Sequence, residues 1–466
     1  MEKFVEITAA GLQDTFAAAD RILKEMQGCG RKYYVESYGC QMNEHDAEKI
    51  AGMLQACGYS KAETKNDANL ILYNTCCIRE HAEKRVFGNI GALKKRKEED
   101  PGLIICVCGC MMQQKAVADR LFKRFPFVDI VFGTHELHRF PILLEKALSG
   151  ERVISVRESD GEVVEDLPVI RNGSFSTFVT ITYGCNNFCS YCIVPYVRGR
   201  ERSRSPENIV NEVRELVRQG YKEITLLGQN VNSYRYDDVD FPELLRQVNE
   251  VEGDFRIRFM TSHPKDLSPR LIDAMATLDK VCNHIHLPVQ SGSNAILSAM
   301  NRKYTREKYF ALVDAIREKV DGVELTSDFI VGFPGETEED FEDTLDLARR
   351  VGFSAAYVFM YSPRAGTKAA KMENQIPEEV KKERLLRLNA CNAEQLQAAN
   401  AGKYVGTNGT VLVEGCDTRG PSSMAYGKLT NFKMVYFPGG PELIGKLCRV
   451  NITDTQNNSL IGELAD

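Results

Sequence analysis

The sequence predicts an α/β protein in three parts: an N-terminal α/β domain with a parallel sheet, a central partial TIM-like barrel, and a small C-terminal all-β barrel. From Lys32 to Leu148, strand-like runs alternate with helix-like runs, which is typical of a parallel sheet with helical crossovers. From Thr177 to Met360 the alternation resumes with six strand–helix units, the arrangement of a full or partial TIM-like barrel. After Gly402, short strand-like runs separated by glycines indicate the small β-barrel.

The first part consists of a leading amphipathic helix in residues 1–30, loosely attached, and an α/β domain in residues 31–149. The domain's predicted strands are Tyr33–Ser37, Asn69–Asn74, Leu103–Cys108 and Val128–Phe132. Its predicted helices are Asp46–Ala56, Glu80–Lys97, Ala116–Arg124 and His135–Leu148. The acidic, polar stretch Glu151–Asn172 predicts a linker to the next domain.

The second part, residues 171–401, contains the barrel and a departing helix, Pro377–Asn400. Its predicted strands are Thr177–Thr182, Glu223–Leu227, Arg256–Met260, His284–Leu287, Glu324–Val331 and Ala355–Met360. Helices such as Pro206–Gln219 and Glu338–Arg350 are expected between them. The third part, residues 402–466, has the predicted strands Gly409–Glu414, Tyr426–Thr430, Phe432–Phe437 and Leu447–Thr453.

Composition places the chain among ordinary globular proteins, with 43% hydrophobic and 27% charged residues. The most apolar run, Leu103–Met112, is about half the roughly 20 residues that cross a bilayer. The N-terminus is charged and has no apolar core, so we expect no signal peptide and a cytoplasmic location. A net charge of −6 argues against a generally basic nucleic-acid-binding surface. It leaves room for local basic groups, although the run Lys94–Lys97 is typical of a solvated helix face.

Three of the fifteen cysteines lie in one short loop just after the first predicted barrel strand. Cys185, Cys189 and Cys192 have the spacing C-x3-C-x2-C, which can hold a cubane iron–sulfur cluster and leave one iron open. In a reducing compartment, metal binding explains such a group better than disulfides do. A zinc knuckle is the alternative, but a structural zinc site normally needs a fourth ligand close by.

Three further cysteines each follow a predicted strand of the N-terminal sheet. Cys40 follows the first strand, Cys76 the second and Cys110 the third. Ligands of open α/β sheets bind beyond the carboxyl ends of the strands, so these three thiols are predicted to converge. Their convergence predicts a second cluster, the auxiliary cluster, also with an open iron. The alternative is three buried structural cysteines, because free cysteine is among the most buried residue types.

The other cysteines show no ligand spacing. Cys77 adjoins Cys76, and only one of two adjacent side chains is expected to point into the site. Cys106 and Cys108 lie inside a predicted strand and are interpreted as core residues. The rest are interpreted as structural: Cys29, Cys57, Cys282, Cys391, Cys416 and Cys448.

Several motifs together resemble one known family. The loop Cys185–Cys192, placed after a strand at a barrel mouth, resembles the signature of radical S-adenosylmethionine (SAM) enzymes. Tyr38-Gly-Cys-Gln-Met-Asn43, Asn74-Thr-Cys76 and Gly109-Cys110, together with that loop and a β-rich tail, resemble the methylthiotransferase family. The resemblance covers nearly all of residues 32–466. It implies an N-terminal methylthiotransferase domain, a radical SAM core and a C-terminal TRAM domain.

Within that family, the first motif and the segment Cys185–Arg204 are most similar to the subgroup that modifies isopentenylated adenosine in tRNA. The implied reaction inserts a methylthio group at carbon 2 of N6-isopentenyladenosine beside the anticodon. The implied cofactors are two [4Fe–4S] clusters and two SAM molecules, one of which methylates a sulfur at the auxiliary cluster. The other supplies a radical, because the unactivated C–H bond gives acid–base chemistry little to act on.

The resemblance also implies partners. These are tRNA, through its anticodon arm, and a reductant such as flavodoxin or ferredoxin. We expect a monomer without membrane contact.

Other segments of the barrel are candidates for cofactor contact. Gly228 and Gln229 stand after the second strand, where many radical enzymes have Gly-Gly-Glu to hold the cofactor amine; the acid is absent here, and a plain glycine-rich strand end is the alternative. Val331 and Gly332 belong to a segment that resembles the one packed against the cofactor adenine, although a plain turn has the same sequence. Tyr191, with Phe188, is expected to shield the loop cluster from water.

Two groups are candidates for RNA contact. The first is the run Arg198, Arg200, Arg202 and Arg204, whose period of two predicts four guanidinium groups on one face, suited to phosphate or cofactor contact; simple solvation is the alternative. The second comprises Phe432, Tyr436 and Phe437 of the TRAM-like domain, which can stack on unpaired bases or pack into the core. A lone histidine, His286, is a candidate for contact with the cofactor ribose or the target base, or a core residue.

Two other functions remain open at this stage. One is methylthiolation of a different tRNA adenosine or of a ribosomal-protein side chain, which belongs to the same family. The other is a zinc-bound RNA-binding protein without enzymatic activity.

Overall fold

A computed structural model describes residues 6–7, 9–77, 80–158, 161–420, 423–456 and 458–465. Parts of three sequence predictions lie outside these residues: the start of the leading segment, Ile78–Arg79 after the Asn74-Thr-Cys76 motif, and a few positions of the C-terminal domain. Within the described ranges, no helix combines the length and the apolar character needed to cross a bilayer.

The chain folds into two compact units. The first comprises Met1–Asn172, Thr182–Asn186 and Ile193–Arg204, and the second comprises Gly173–Ile181, Asn187–Cys192 and Ser205–Asp466. The sequence-based division at residues 30, 149, 171 and 401 stays a prediction.

The elements before the barrel are β1 (Glu6–Ile7), α1 (Gln13–Met26), β2 (Lys32–Ser37), α2 (Gln41–Ala56), β3 (Ser60–Lys61), β4 (Leu70–Thr75), α3 (Glu80–Ala92), α4 (Lys94–Glu99), β5 (Ile104–Gly109), α5 (Lys115–Arg124), β6 (Ile130–Phe132), α6 (Phe140–Leu148), β7 (Val153–Ser155) and β8 (Val163–Val164). Those of the barrel region are β9 (Ser176–Thr180), β10 (Thr182–Tyr183), α7 (Val194–Val197), β11 (Arg202–Ser203), α8 (Pro206–Arg218), β12 (Glu223–Leu227), β13 (Arg235–Tyr236), β14 (Val239–Asp240), α9 (Phe241–Asn249), β15 (Arg256–Phe259), α10 (Pro269–Thr277), β16 (His284–His286), α11 (Asn294–Ala299), α12 (Arg306–Lys319), β17 (Glu324–Val331), α13 (Glu338–Val351), β18 (Ala355–Met360) and α14 (Glu378–Lys403). The C-terminal strands are β19 (Asn408–Asp417), β20 (Met424–Lys428), β21 (Met434–Pro438), β22 (Leu447–Gln456) and β23 (Ser459–Leu464).

The first unit is built on a parallel six-stranded sheet with the order β3-β2-β4-β5-β6-β7. Every residue of β4 and β5 is buried, as expected of parallel strands covered on both faces. Leu70 and Leu72 point towards a core that includes α1, α2 and α6, whereas Ile71 and Tyr73 point towards α3 and α5. Cys106 and Cys108 belong to the first of these cores, as the sequence predicted.

Two expectations about this unit are wrong. The leading helix is not loosely attached, because Ala19 and Ile22 of α1 lie in the same core as α6, and Thr15 donates to the His138 carbonyl at 3.1 Å. The predicted linker is not a free segment either. It contains β7, which extends the sheet, and β8, which pairs with β1, and its acidic Glu165 is buried against Arg204 rather than solvated.

The barrel of the second unit is partial. Three parallel strands form a sheet of order β15-β12-β9 and three more form a sheet of order β16-β17-β18. A single parallel bridge between Ile257 and Val281 continues the first sheet towards the second. All six predicted barrel strands are present; β12, β17 and β18 have the predicted bounds, and the other three differ by one or two residues at an end. One large hydrophobic core fills the space between these strands and the surrounding helices.

The C-terminal strands form a closed five-stranded barrel of order β19-β20-β21-β23-β22. Two arginines of β15 fix it to the partial barrel. Arg256 and Arg258 donate to four backbone carbonyls at 2.6–3.0 Å, those of Thr410, Lys428, Leu429 and Thr430. Phe432 stacks on His284 of β16 with ring centroids 4.5 Å apart, and Phe437 is fully buried. The two phenylalanines therefore serve packing rather than base stacking.

Candidate metal centres

The strand-end cysteines Cys40, Cys76 and Cys110 follow three neighbouring strands. Strands β2, β4 and β5 lie side by side in the sheet, and Cys76 and Cys110 come directly after β4 and β5. Cys40 lies three residues beyond β2 and is the N-cap of α2. Because parallel strands end at one edge, this order brings the three chain segments together at the carboxyl ends.

Asn43 lies at the centre of this group. Its Oδ1 accepts hydrogen bonds from the thiols of Cys40 at 3.5 Å and Cys110 at 3.7 Å. Its Nδ2 donates to the Thr75 carbonyl at 2.9 Å, and Asn74 donates back to the Asn43 carbonyl at 2.7 Å. Two of the predicted ligands therefore donate to the same asparagine oxygen, which brings them close together.

Two glycines allow this approach. A Cβ on Gly39 would lie 3.0 Å from the Cys76 Cβ and 3.1 Å from Asn43. Gly109 has a φ of +97°, and a Cβ there would lie 2.3 Å from Asn74 Oδ1. A Cβ at either position would collide with a neighbouring segment, so glycine is needed for the backbone to approach this closely.

Cys77 also belongs to this neighbourhood. Its half-buried side chain packs against Cys110, whereas Cys76 is buried beside Gly39. Cys77 therefore lies beside Cys110, and which of the two adjacent thiols points into the site stays a prediction. The Cys77 hydrogen bond, together with Arg198, lowers the pKa of Cys110 to about 7, while burial raises the pKa of Cys40.

Arg198 is a further member of the strand-end site. It is 5% exposed, and its Nε lies 3.2 Å from Cys110 Sγ. Its Nη2 donates to Asn43 Oδ1 at 3.1 Å and to Asp46 Oδ2 at 2.8 Å. A buried cation thus contacts one predicted ligand, the shared asparagine and a buried carboxylate.

The donor set at the strand ends fits an iron–sulfur cluster. Sulfur ligands, a nearby cation and glycine-lined backbone are the surroundings that such clusters use. Within the described ranges, no group of three or more Cys, His or acidic side chains is arranged to hold a single metal ion. The ligand assignment itself stays a prediction.

The cysteine loop Cys185–Cys192 is held from several sides. Within the first unit, the Cys185 N–H donates to the Gly199 carbonyl at 3.2 Å. Within the second unit, Arg302 approaches Cys189 Sγ at 3.5 Å and the Tyr191 hydroxyl at 3.5 Å. Arg302 is buried and also donates to the Pro288 carbonyl at 2.6 Å, so its guanidinium is fixed against the loop.

The backbone of this loop is constrained as well. Phe188 has a φ of +46°, an uncommon conformation for a residue with a side chain. Asn301 donates to the carbonyls of Asn187 and Phe188 at 3.3 and 3.0 Å. Ser190 N–H donates to Met300 O at 3.0 Å. Tyr191 packs with Phe333 and Tyr361, and its role in shielding a cluster stays a prediction.

Several buried polar side chains lie beyond β12 and β15. Gly228 is buried and Gln229 half-buried at the end of β12. Next to them, Asn230 Oδ1 lacks a hydrogen-bond partner among the described residues, and so do Ser262 Oγ and His263 Nε2 beyond β15. His263 Nδ1 accepts from the Lys265 N–H at 3.1 Å, which leaves Nε2 as the donor. Such atoms suit a polar ligand such as SAM, and Asn230 and His263 were missed by sequence reasoning.

The second predicted cofactor segment forms a tight turn. Val331 is fully buried at the end of β17. Gly332 N–H donates to Glu336 Oε2 at 2.6 Å, and Arg384 donates to the same carboxylate at 2.8 Å. Burial raises the pKa of Glu336 to about 7 against these two partners. The turn is thereby fixed at the end of β17.

The inner face of β16, β17 and β18 carries polar and aromatic groups. Alternate residues of these strands pack into the core behind the sheet, so His286, Asp328, Tyr357 and Phe359 face the other way. His286 lies 3.4 Å from Asp328 and makes an edge-on ring contact with Tyr357. Tyr357 and Phe359 are 48% and 50% exposed, which is unusual for large aromatic side chains on a barrel strand.

The arginine run is mostly buried. Arg204 forms a bidentate pair with Glu165, and Arg202 donates to the carbonyls of Arg198 and Arg200 at 3.1 and 2.6 Å. Arg198, Arg202 and Arg204 are 4–6% exposed, whereas Arg200 is exposed. Simple solvation therefore does not describe Arg198, Arg202 and Arg204, which are buried. RNA contact by the run stays a prediction.

Family models match the three parts of the chain. The radical SAM superfamily matches residues 179–348, the uncharacterized protein family UPF0004 matches residues 32–133, and the TRAM domain matches residues 402–465. Among solved structures, the radical SAM methyltransferase TsrM from Kitasatospora setae aligns with a TM-score of 0.52 at 14% identity, covering 73% of this chain and 77% of that one. The cobalamin-dependent radical enzyme OxsB aligns with a TM-score of 0.51 at 15% identity, covering 78% and 56%. The fold and the cysteine loop therefore define a radical SAM enzyme.

Curated relatives narrow this class. A tRNA-2-methylthio-N6-dimethylallyladenosine synthase from Clostridium beijerinckii is 52% identical over 442 residues, covering 93% of this chain and 95% of the relative. Those from Clostridium botulinum and Thermoanaerobacter sp. are each 50% identical, covering 94% and 99% of this chain and 96% and 98% of the relatives. The chain belongs to the tRNA-2-methylthio-N6-dimethylallyladenosine synthase family, which confirms the resemblance seen in its motifs.

Proposed function

We propose that the protein is a radical SAM tRNA methylthiotransferase that modifies carbon 2 of N6-isopentenyladenosine beside the anticodon. The observation that carries this proposal is the convergence of Cys40 and Cys110 on Asn43, in a chain that also has the C-x3-C-x2-C loop. Hydrogen abstraction needs one cysteine site and sulfur donation needs another. Membership of the synthase family supports the same activity.

The proposed cofactors are SAM and two [4Fe–4S] clusters, held by Cys185, Cys189 and Cys192 and by Cys40, Cys76 and Cys110. When bound, these groups supply hydrogen-atom abstraction at the loop and sulfur donation at the strand ends. The side chains of the protein hold the cysteines in position. Asn43 orients the strand-end thiols, and Arg302 with Asn301 fixes the loop. Asn230 and His263 present polar atoms to SAM.

The inner wall of the barrel suits the target base. Tyr357 and Phe359 expose aromatic faces, on which an unpaired adenine and its isopentenyl group can pack. His286 and Asp328 stand beside them as hydrogen-bonding groups. We assign this wall to the modified nucleoside, and Arg200 and the TRAM domain to the anticodon arm.

Partners and location complete the proposal. A low-potential reductant such as flavodoxin or ferredoxin delivers the electron, and the enzyme acts as a monomer. The cytoplasm is the location, because tRNA is modified there.

Mass analysis of tRNA nucleosides tests the activity directly. We expect a deletion strain to lack the methylthiolated form of isopentenyladenosine and to accumulate isopentenyladenosine itself. Complementation with the wild-type gene restores the modification. If the methylthiolated nucleoside persists in the deletion strain, the proposal is wrong. Methylthiolation of a ribosomal protein by the purified enzyme, without turnover of tRNA, would instead identify the sister activity.

A triple variant tests the division of labour between the two cysteine sites. With Cys40, Cys76 and Cys110 all changed to Ala, we expect SAM cleavage to continue while methylthio transfer is abolished. Iron analysis should fall from roughly eight atoms per chain to roughly four. Stoichiometric zinc in the anaerobically isolated wild-type protein would contradict the proposal and favour the RNA-binding alternative.

A further inference from the structure

Arg198 joins three groups at the strand-end site that no local sequence pattern connects. Its Nε lies 3.2 Å from Cys110 Sγ, and its Nη2 reaches Asn43 Oδ1 and Asp46 Oδ2 at 3.1 and 2.8 Å. Asn43 in turn accepts from Cys40. The guanidinium therefore touches one predicted ligand directly and a second through one asparagine oxygen.

The contact of Arg198 with the strand-end site is electrostatic as well as steric. Arg198 and Asp46 are both buried, so the field of each is little screened by water. A cation beside a thiolate stabilises the more negative form of any group that the thiolate holds. N–H donors to cluster sulfurs and nearby charge are two of the factors that set the reduction potential of an iron–sulfur cluster.

We propose that Arg198 is a positioning residue for the strand-end cysteine site, which orients the Cys110 thiolate and supplies a positive charge that Asp46 partly neutralises. The assignment rests on the proposed function, because it takes the occupant of Cys40, Cys76 and Cys110 to be an iron–sulfur cluster. It replaces the phosphate contact that the arginine run predicted for this residue.

The neighbouring pair of Arg204 and Glu165 provides a matched control. It is also a buried ion pair in the same unit, although it is bidentate, with distances of 2.6–2.9 Å, whereas Arg198 reaches Asp46 through one nitrogen. Breaking it by Arg204→Gln perturbs folding in the same way as Arg198→Gln, since each leaves a carboxylate uncompensated. A change shared by both variants is structural, and one confined to Arg198 concerns the cysteines.

The experiment isolates one cluster in the full-length chain. Cys185, Cys189 and Cys192 are changed to Ala, the protein is reconstituted with iron and sulfide, and the midpoint potential is measured by EPR-monitored titration without tRNA. We expect Arg198→Gln to lower the potential and Asp46→Asn to raise it, because the two changes remove opposite charges. Arg204→Gln should leave the potential unchanged. Loss of iron to a chelator should be about tenfold faster in Arg198→Gln.

Two further variants keep the test open if Arg198→Gln folds poorly. Arg198→Lys keeps the charge but removes the planar fork of donors, so we expect a potential near that of the starting protein and faster loss of iron. The double variant Arg198→Gln/Asp46→Asn buries no unpaired charge and should return the potential towards the starting value. Shifts of the same sign in Arg198→Gln and Asp46→Asn would overturn the inference.

The proposed function fails in a distinguishable way. Roughly four iron atoms per wild-type chain, instead of roughly eight, would remove the auxiliary cluster and overturn both the two-cluster function and this inference. A wild-type chain with both clusters, but with equal potentials in Arg198→Gln and the control, would overturn the inference alone.

Discussion

The strand-end cysteine site and the loop cysteine site use the same ligand type in opposite ways. The loop places Cys185, Cys189 and Cys192 within eight residues, so its shape is local. The strand-end site collects Cys40, Cys76 and Cys110 from three strands, so its shape depends on the sheet. A loop can form its site on a tight backbone, whereas the strand-end site needs the whole first unit to be folded.

Each site also has a buried arginine on a cysteine sulfur, and the arginines differ in their partners. Arg198 pairs with the carboxylate of Asp46. Arg302 donates to the Pro288 carbonyl and lies against the hydroxyl groups of Tyr191 and Tyr304. The strand-end site therefore has a compensated charge, while the charge at the loop faces neutral dipoles. This difference indicates that the loop site favours anionic groups more strongly.

The largest expected effect comes from removing the loop ligands. Changing Cys185, Cys189 and Cys192 to Ala should abolish SAM cleavage and leave roughly four iron atoms per chain. Changing Cys40, Cys76 and Cys110 should leave SAM cleavage intact, so the two triple variants are expected to separate the sites. Deoxyadenosine formation measured by chromatography, beside iron analysis, checks the result. Cys282→Ala, a buried cysteine without a predicted ligand role, should behave as the wild type; cleavage that survives the loop variant would contradict the assignment.

The two arginines offer the next test. We expect Arg302→Gln to weaken iron retention at the loop about 10–100-fold, since second-shell groups have effects of this size. For unfolding of the apoprotein we expect the larger effect from Arg198→Gln instead. Arg198→Gln leaves the buried Asp46 carboxylate without its cation and should lower the free energy of unfolding by about 3–5 kcal/mol. Arg302→Gln leaves only neutral partners and should lower it by about 1–3 kcal/mol.

Urea unfolding and chelator assays on the same preparations check both halves of this prediction. Lys303→Gln changes the exposed neighbour of Arg302 and should alter neither measurement. Equal unfolding costs for the two arginine variants would show that Asp46 does not distinguish the sites.

Much of the fold could be predicted from the sequence, because long apolar runs determine the strands. Strands β4 and β5 are buried throughout and begin with apolar runs, and their predicted bounds differ from the observed ones by one residue. The short strands β3, β7 and β23 were missed, since each is stabilised by a neighbouring strand rather than by its own pattern. The segment containing β7 and β8 suggested a linker because it is polar and rich in Glu and Asp.

The sites divide in the same way. The C-x3-C-x2-C spacing is local and could be found, and strand ends could be inferred from alternation. The two buried arginines could not be inferred in this way, because Arg198 and Asp46 are 152 residues apart in the sequence and Arg302 and Cys189 are 113 apart. A period of two predicted four arginines on one face, but ion pairing with Glu165 and Asp46 decided where two of them lie.

Smaller effects are expected where the substrate, rather than a cluster, is bound. Stacking of a base on an aromatic side chain contributes about 1–3 kcal/mol, so Tyr357→Ala and Phe359→Ala should each raise KM for an isopentenylated stem-loop about tenfold. Both cysteine sites should keep their iron. Tyr357→Phe keeps the ring and should remain close to wild type. Leu386 is an exposed apolar residue of α14, and Leu386→Ala is the control. Equal KM values for Leu386→Ala and Phe359→Ala would show that the inner wall does not bind the substrate.

The smallest expected effect belongs to Arg200, the exposed member of a run whose other three arginines are buried. Arg200→Gln takes away one positive charge that can pair with a phosphate, so it should weaken tRNA binding a few-fold and reduce the slope of log affinity against log salt by about one. Cluster potentials should stay unchanged, because Arg200 is exposed whereas Arg198 is buried against Cys110. Binding titrations at several salt concentrations check this, with Arg218→Gln on α8, an exposed arginine paired to Glu215, as the control. An unchanged salt slope in Arg200→Gln would leave the run without any role in RNA binding, and its four arginines would then act only within the protein.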